Sequence, residues 1–455
     1  MKIIVVGGGK VGFTICEQLS QEGHDLTIID VDAQKLKGIV NALDVMGISG
    51  NGTSYRVQQE AGVEDADILI AVTDKDEINM LSCLIAKKAG NCKTVARVRN
   101  PGYFEEIQFI KNELGLSMFL NPEMESARDI ARLIQIPSAL DVDSFSGGRV
   151  NLVKVKIPRV SCLNGLALKN LSAHIGSSIL VCIIERGNEV IIPNGNTVMY
   201  EDDIIYIITP LWETRNVLKK AGINTKPIKD VTIAGGGRIS YYLAMLLIKS
   251  KVNVKIIEKD RDTCDLLSEM LPEAMIIHGD ASSKQLLMEE NVDNTDAFVT
   301  VTNIDEENIV LSLYVNKISQ AKIITKINKI TFEEVVKEMP IGSVICPKNI
   351  TAERIVSYVR ALQNSWGSNI ETLYRMLDNR IEALEFVVKE NANIMKMLNV
   401  PLKDLNLIDN LIICCINRGG TIITPTGKDC LKIGDTVVVV TSNLGLDDLS
   451  NIFKN

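Results

Sequence analysis

The chain has 455 residues, which is too long for one ordinary domain and suits three or four. Hydrophobic residues make up 46% of it and aromatic residues only 4%, a balance typical of parallel α/β sheets. The formal net charge of −8 argues against a nucleic-acid-binding protein. The ten cysteines include no C-x-x-C pair, so we expect reduced, mostly buried thiols and no metal site.

The N-terminal residues predict a strand at once, which argues against a signal peptide. No uninterrupted apolar run reaches the length of a membrane span. We therefore expect a cytoplasmic protein, and any role at a membrane would be exercised through a partner.

A glycine-rich turn follows the first apolar segment. Residues 3–6 predict a buried strand, and Val11, Ile15 and Leu19 recur as on one face of a helix. The sequence between them, G-G-G-K-V-G over residues 7–12, matches the pattern G-x-G-x-x-G. A strand, a glycine turn and a helix in this order predict a site for the phosphates of a nucleotide, because the helix N-terminus attracts an anion. The alternative is a glycine turn of an α/β fold without a ligand.

An acidic residue, Asp30, ends the next predicted strand, eighteen residues after Gly12. An acid at this place accepts hydrogen bonds from ribose hydroxyls and disfavours a 2′-phosphate. The pattern therefore favours NAD or a simple adenine nucleotide over NADP.

Strand and helix patterns alternate over the first 120 residues and predict a doubly wound, Rossmann-like parallel sheet. The predicted strands span residues 3–6, 26–29, 45–49, 68–72, 94–98 and 117–120, and the clearest helix spans 77–89. Ligands of such sheets bind at the carboxyl ends of the strands, where two arginines would suit phosphate. The cofactor-binding candidates in this half are Gly7, Gly8, Gly9, Lys10, Val11, Gly12, Asp30, Asn51, Gly52, Thr53, Thr73, Asp74, Arg97 and Arg99.

The pattern changes after this sheet. Asn121-Pro122-Glu123 predicts the start of a helix over 124–134, which is a candidate arm toward another subunit. Strands predicted at 150–157, 179–185 and 204–208, with turns at 186–188 and 193–196, indicate a small α+β domain. Residues 220–229 predict a linker.

The whole pattern then recurs. Gly235 lies 228 residues after Gly7, Glu258 corresponds to Asp30, and the turn at 418–427 corresponds to that at 186–195. The sequence thus predicts a tandem duplication with domains 1–140, 141–222, 229–370 and 371–455, each Rossmann-like sheet being followed by a small α+β domain. The second set of cofactor-binding candidates is Gly235, Gly236, Gly237, Arg238, Ile239, Glu258, Asp280, Thr302 and Lys326.

A Rossmann-like domain followed by a small domain with the pattern R-G-x-x-x-x-x-P-x-G, and with G-D-x-V after it in the second repeat, resembles the RCK (or KTN) modules that regulate potassium channels and transporters. Further marks are Thr73, the segment A-R-V-R-N-P at 96–101, and N-P-E at 121–123. Two modules in one chain resemble the cytosolic regulatory proteins of Trk-type potassium uptake systems, over the full length.

The resemblance implies a regulatory protein and not an enzyme. It implies a ring of Rossmann domains on the inner face of the plasma membrane, bound to a membrane-embedded Trk-type potassium transporter subunit. NAD(H) or ATP and ADP would be the regulatory ligands, and a homotetramer would supply eight Rossmann domains.

The main alternative is an NAD-dependent oxidoreductase. Such an enzyme needs a proton donor beside the nicotinamide, commonly a histidine or a tyrosine followed four residues later by lysine. No tyrosine here has that lysine, and the three histidines, His24, His174 and His278, fit structural or surface positions better. A DNA-binding redox sensor would need a basic recognition helix, which the sequence lacks.

The two halves differ at their candidate phosphate contacts. Ser240 replaces the third glycine, Lys326 replaces Arg97 and Asn328 replaces Arg99, whereas Arg238 replaces Lys10. Ser240 either keeps the following helix farther from its strand or requires the turn to accommodate a hydroxymethyl group. Lys326 exchanges a fork of donors for a point charge, and Asn328 removes a charge, so the three changes should weaken phosphate binding in the second half. We therefore expect the first half to be the principal nucleotide sensor.

Overall fold

The computed structural model describes residues 1–145, 149–175, 179–210, 212–223, 226–328, 333–364, 370–377, 380–390, 392–395, 397–446 and 448–454. They form two compact units, Met1–Ala131 with Lys229–Val359, and Arg132–Ile228 with Arg360–Asn455. Within these residues, no helix combines the length and the apolar character that crossing a membrane requires.

The first repeat begins with a six-stranded parallel sheet of order β3-β2-β1-β4-β5-β6. Its aliphatic strands are buried on both faces, as the unbroken apolar runs of the sequence predict. The elements are β1 (Lys2–Val6), α1 (Lys10–Gln21), β2 (Asp25–Asp30), α2 (Ala33–Ala42), β3 (Met46–Ser49), α3 (Tyr55–Glu60), β4 (Ile68–Ala71), α4 (Asp76–Ala89), β5 (Lys93–Arg97), α5 (Pro101–Glu105), α6 (Ile107–Leu114), β6 (Met118–Leu120) and α7 (Pro122–Gln135).

A five-stranded antiparallel sheet of order β10-β9-β11-β8-β7 follows. Its elements are β7 (Ala139–Phe145), β8 (Val150–Lys156), α8 (Leu171–Ile175), β9 (Leu180–Arg186), β10 (Glu189–Ile191), β11 (Ile204–Pro210) and α9 (Thr214–Lys220). A short 3-10 helix spans Leu168–Asn170. Strand β7 was not predicted, and it crosses the domain boundary that the sequence placed between residues 140 and 141.

The second repeat has the same two sheets. Its parallel sheet, of order β14-β13-β12-β15-β16-β17, is built from β12 (Asp230–Ala234), α10 (Arg238–Lys249), β13 (Asn253–Glu258), α11 (Arg261–Met270), β14 (Met275–His278), α12 (Lys284–Glu289), β15 (Ala297–Thr300), α13 (Asp305–Ile318), β16 (Lys322–Lys326), α14 (Glu333–Glu338), β17 (Ser343–Ile345) and α15 (Pro347–Asn364). A 3-10 turn spans Val292–Asn294.

The last sheet is antiparallel, of order β18-β19-β22-β20-β21. Its elements are β18 (Ile370–Met376), β19 (Ile381–Val387), α16 (Ala392–Met395), β20 (Leu411–Arg418), β21 (Thr421–Ile423) and β22 (Thr436–Thr441), with 3-10 helices at Leu402–Asp404 and Leu449–Ile452. Two Rossmann-like parallel sheets, each followed by a small mixed domain, confirm the predicted fold class. Part of the predicted linker, at 224–225, lies outside the described residues.

The two antiparallel sheets share one apolar core in their unit. Phe145, Cys182 and Tyr206 from the first sheet are buried in the same cluster as Ala383 and Cys414 from the second. The repeats therefore pair with each other here.

The two parallel sheets meet in the other unit through α7. Glu125 and Asp129 on this helix lie 3.3 and 3.8 Å from guanidinium nitrogens of Arg354 on α15. These contacts are made to the second repeat of the same chain, and the reach of this helix toward another subunit stays a prediction.

Candidate functional site

The first glycine turn brings β1 against α1. Gly7 has φ +107°, a backbone conformation that L side chains rarely adopt, and a Cβ there would lie 2.9 Å from the backbone nitrogen of Thr73. A Cβ on Gly12 would overlap the carbonyl oxygen of Gly7. Gly9, by contrast, faces open space and precedes the first residue of α1. The turn therefore leaves room for a ligand at the helix N-terminus.

The acid at the end of β2 is fixed against this turn. One carboxylate oxygen of Asp30 accepts a hydrogen bond from the Gly8 N–H at 2.5 Å, and the other accepts from the Asp32 N–H at 2.9 Å. In the second repeat, Glu258 accepts in the same way from Gly236 at 2.5 Å and from Asp260 at 2.8 Å. Both acids are thus held in one orientation before a ligand binds.

A buried asparagine orders the ends of β4 and β5. The Asn79 side chain accepts from the Thr73 N–H at 2.8 Å and donates to the carbonyl oxygen of Arg97 at 2.9 Å. Asn308 makes the corresponding bonds to Thr302 and Lys326, both at 3.0 Å. Sequence reasoning missed both asparagines, although their recurrence 229 residues apart in two helices was a signal.

The two arginines of the first repeat retain unused donors. A terminal nitrogen of Arg97 donates to the Thr73 carbonyl oxygen at 2.5 Å, and one of Arg99 donates to the carbonyl oxygen of Asp74. The Nε atoms of both arginines are buried without a hydrogen-bond partner among the described residues, although that of Arg99 lies 3.8 Å from a carboxylate oxygen of Asp76. Burial, followed by repulsion from Arg99, lowers the pKa of Arg97. Buried donors of this kind suit an anionic ligand.

These groups line a cavity of about 970 Å³, to which both repeats contribute residues. A volume of this size is large enough for a nucleotide. The candidates that line the cavity are Gly7, Gly9, Lys10, Val11, Asp30, Asn51, Gly52, Thr73, Asp74, Arg97, Arg99, Gly237, Arg238, Ile239 and Lys326. Gly8, Gly12, Thr53, Gly235, Gly236, Glu258, Asp280 and Thr302 are outside its lining.

Glu123, at the start of α7, lines the same cavity and was missed as a site residue. One of its carboxylate oxygens is buried without a hydrogen-bond partner in the described part of the chain. Burial raises the pKa of Glu123, although Arg99, Arg238 and Arg97 act in the opposite direction. The corresponding residue after the second proline, Lys348, also lines the cavity.

The second repeat contributes basic groups of a different kind. Burial lowers the pKa of Lys326, against the opposing effect of Asp305 and Glu123. Asn328, the counterpart of Arg99, donates from its side chain to Asp305 at 2.9 Å. The hydroxyl of Ser240 donates to the carbonyl oxygen of Gly235. Of the two outcomes expected for Ser240, the turn accommodates the extra hydroxymethyl group by bonding it.

The three histidines lie elsewhere. His24 is buried beside the N-terminal amine, at 3.4 Å, and the exposed rings of His174 and His278 contact backbone carbonyl oxygens at 3.0 and 3.2 Å. The described lining of the cavity includes none of them. Among the described residues, no group of three His, Cys, Asp or Glu side chains is placed to hold a metal ion.

Sequence comparison places this architecture in a family. The TrkA-N domain matches residues 3–122 and 231–347, one match in each repeat and more than half of the chain in total. This chain belongs to the TrkA family. The Trk system potassium uptake protein TrkA of Halomonas elongata is 33% identical over 458 residues, covering 100% of this chain and 99% of that protein. The TrkA homolog of Archaeoglobus fulgidus is 31% identical and covers both chains fully. The resemblance to tandem RCK modules is confirmed.

Solved structures share the fold at low identity. The GsuK channel bound to NAD superposes with a TM-score of 0.62 at 16% identity, covering 96% of this TrkA-family chain and 76% of that chain. The GsuK RCK domain gives 0.61 at 16% identity, covering 96% and 91%. GsuK bound to ADP gives 0.50 at 14% identity, covering 80% and 69%.

Proposed function

We propose that this chain is the nucleotide-binding regulatory subunit of a Trk-type potassium uptake transporter. The observation that carries the proposal is the cavity lined by the glycine turns of both repeats and by basic side chains from each. The family membership and the full-length likeness to proteins named for potassium uptake support the transporter as partner.

The ligand is an adenine nucleotide, NAD(H) or ATP and ADP. Asp30 would accept the ribose hydroxyls, the N–H groups at the start of α1 would face phosphate, and Arg97 and Arg99 would supply the unused donors. The NAD and ADP complexes of GsuK, a protein of the same fold, support this ligand class. The remaining candidates from the sequence belong to the same proposal, as do the domain boundaries at 222, 229 and 370. The boundary at 140 is replaced by one before β7, which begins at Ala139.

Regulation follows from the position of the cavity between two repeats. A ligand shifts a conformational equilibrium only if its affinity differs between the two states. Phosphates that contact Arg97 on one repeat and Arg238 on the other have such a difference, because the distance between these contacts depends on how the repeats are arranged. The bound nucleotide thereby biases the gate of the membrane subunit.

The proposed assembly is a homotetramer whose eight Rossmann domains form a ring on the inner face of the plasma membrane. The protein itself turns over no substrate and binds no nucleic acid. Light scattering of the purified protein at micromolar concentration measures the assembly, and a monomer there would contradict it. Steady oxidation of NADH with small carbonyl substrates would contradict the regulatory assignment and favour an oxidoreductase.

A substitution at Gly9 tests the nucleotide site. Calorimetry with NADH, NAD, ATP and ADP should show binding to the wild type and a loss of at least about fivefold in Gly9→Asp, because a carboxylate about 4 Å from phosphate costs about 1–4 kcal/mol. Open space surrounds Gly9, and aspartate is a favourable N-cap, so the fold should persist. Gly9→Ala is the matched control that adds a Cβ without charge. Unchanged affinity in Gly9→Asp would contradict the site.

The matching variant in the second repeat tests the difference between the halves. Gly237 also faces open space before α10, so Gly237→Asp places the same charge at the other turn. We expect a smaller loss of affinity than for Gly9→Asp if the first repeat is the principal sensor. Equal losses, with the same order of nucleotides, would show that the two halves are equivalent sites.

A further inference from the structure

A tyrosine of the second repeat reaches into the first. Tyr242 lies on α10 and is 1% exposed. Its hydroxyl accepts a hydrogen bond from the Asn121 side chain at 3.0 Å and donates to the carbonyl oxygen of Arg99 at 3.4 Å. These three groups form what we term the inter-repeat contact. It is a buried polar connection between the helix after one glycine turn and the strand end of the other repeat.

On each side of the inter-repeat contact, a neighbouring arginine lines the cavity. Arg238, one helical turn before Tyr242 on α10, lines it, and so does the side chain of Arg99. Asn121 also caps α7, because its side-chain oxygen accepts from the Met124 N–H at 3.0 Å. Tyr242 itself is absent from the described lining. Any effect it has on a ligand therefore passes through neighbouring groups.

The contact is made in one direction only. The residue of the first repeat that corresponds to Tyr242 is Thr14, whose hydroxyl donates to the carbonyl oxygen of Lys10 on its own helix. The counterparts of Arg99 and Asn121 are Asn328 and Cys346, and Asn328 is bonded to Asp305. Among the described residues, the position in the first repeat that corresponds to Tyr242 therefore does not make the reciprocal contact.

We propose that Tyr242 is a positioning residue that holds Arg99 for the phosphates of the bound nucleotide, so that phosphate binding at the first repeat depends on the second. The inference rests on the proposed function. The carbonyl bond to Tyr242 and the bonds from the Arg99 and Asn100 N–H groups to Asp76, at 2.9 and 2.8 Å, together fix the backbone at Arg99. Loss of the tyrosine hydroxyl removes the bond to the Arg99 carbonyl oxygen.

The test compares two adjacent tyrosines in the full-length protein. In calorimetry with ADP and with NADH, Tyr242→Phe should weaken binding by about fivefold, the usual effect of one hydrogen bond. Tyr241→Phe is the matched control, since its ring packs edge-on against Tyr242 with centroids 5.3 Å apart. It should leave the affinity unchanged. Equal affinities in Tyr242→Phe and the wild type would overturn the proposal.

A double-mutant cycle separates positioning from a structural role. If Tyr242 acts through Arg99, then Tyr242→Phe has no further effect on ADP affinity once Arg99→Gln is present. Additive losses, or no loss from Arg99→Gln alone, would overturn the proposal. Asn121→Ser keeps a cap for α7 but is too short to reach Tyr242, so it should reproduce the loss should Tyr242→Phe fold poorly. A wild type that binds neither ADP nor NADH would instead contradict the proposed function.

Discussion

Glu123 is an acid in a cavity whose lining includes more basic than acidic side chains. Because burial raises its pKa, the charged carboxylate is less favourable in the folded chain than in the unfolded one. The folded state therefore binds more protons than the unfolded state between about pH 4.3 and the raised pKa, and stability falls as the pH rises through this window.

Replacing Glu123 by glutamine removes this penalty. Glu123→Gln should unfold at a higher temperature than the wild type at pH 8, and the difference should vanish toward pH 4, where both side chains are neutral. Thermal unfolding at pH 4, 6 and 8 measures it. Glu125→Gln, two residues along α7, should lose stability, since Glu125 pairs with Arg128 at 2.5 Å and with Arg354. A Glu123 variant that is less stable at pH 8 would contradict this reasoning.

At the level of single residues, the sequence predicts best where one chain segment determines the geometry. One helix and one strand, α1 and β2, connect the glycine turn to Asp30, and their lengths follow from the spacing in the sequence. Asp30 and the glycine turn therefore line the same cavity, as the spacing predicts. Glu123 and Asn79 could not be placed in this way. Their roles depend on which strand end or which repeat lies opposite, and the local pattern of either residue does not contain that information.

An arginine and an aspartate join two turns of each small domain. The guanidinium of Arg186 donates to both oxygens of Asp203, at 2.9 and 2.7 Å, and Arg418 makes the same pair of bonds to Asp435, both at 2.8 Å. These are the arginine and aspartate of the repeated sequence pattern. Burial tends to raise the pKa of Asp203, but the bonds from Arg186 and the Tyr200 N–H outweigh it and lower the pKa.

Breaking one of these pairs should cost stability in a pH-dependent way. Arg186→Ala should lower the free energy of unfolding by about 1–3 kcal/mol, below the value for a fully buried pair because Arg186 is partly exposed. A lowered pKa stabilises the fold above about pH 4 and the gain is lost as the pH falls, so the deficit should shrink in acid. Urea unfolding at pH 7 and pH 3.5 measures both values.

The control is the exposed pair of Lys156 and Asp202 in the same sheet, 2.7 Å apart with side chains 55% and 73% exposed. Lys156→Ala should change the free energy of unfolding by less than about 1 kcal/mol. Similar deficits in both variants would show that the Arg186 pair acts as an ordinary surface contact.

The missed strand shows the limit of element prediction here. Residues 139–145, A-L-D-V-D-S-F, alternate polar and apolar side chains only over 140–143, which is a weak strand signal. Only Ile136-Pro137-Ser138 separates them from the long helix α7. The parallel strands were easier to predict, because each is a short apolar run between clear helical patterns.

The two repeats do not form two separate halves, because each compact unit contains segments of both. Both parallel sheets belong to one compact unit, and both antiparallel sheets to the other. The duplication was readable from the sequence, since the spacing is nearly constant. The pairing of each sheet with the corresponding sheet of the other repeat could not be predicted from the sequence. Two similar segments can pack on each other, on another chain, or on neither.

A truncated chain tests this pairing. Residues 1–222 alone would expose the apolar face that includes Phe145, Cys182 and Ile208, which the second small domain covers in the full chain. We expect this fragment to form a dimer at micromolar concentration, because a second copy offers a similar face. Light scattering measures the mass. A fragment that is monomeric and unfolds cooperatively would contradict the prediction. Cys182→Asp in the fragment should abolish the dimer.

The one-sided position of Tyr242 has a statistical consequence. In a dimer of two identical single-repeat chains, every contact between the chains occurs twice. The two states in which one of the two equivalent sites holds a nucleotide then have the same free energy. In this chain the two copies are fused and differ, with Thr14 in the first and Tyr242 in the second. The two singly occupied states therefore have different free energies. In the proposed tetramer, a rising nucleotide concentration would then populate a sequence of distinct loading states, and the response of the ring would be graded.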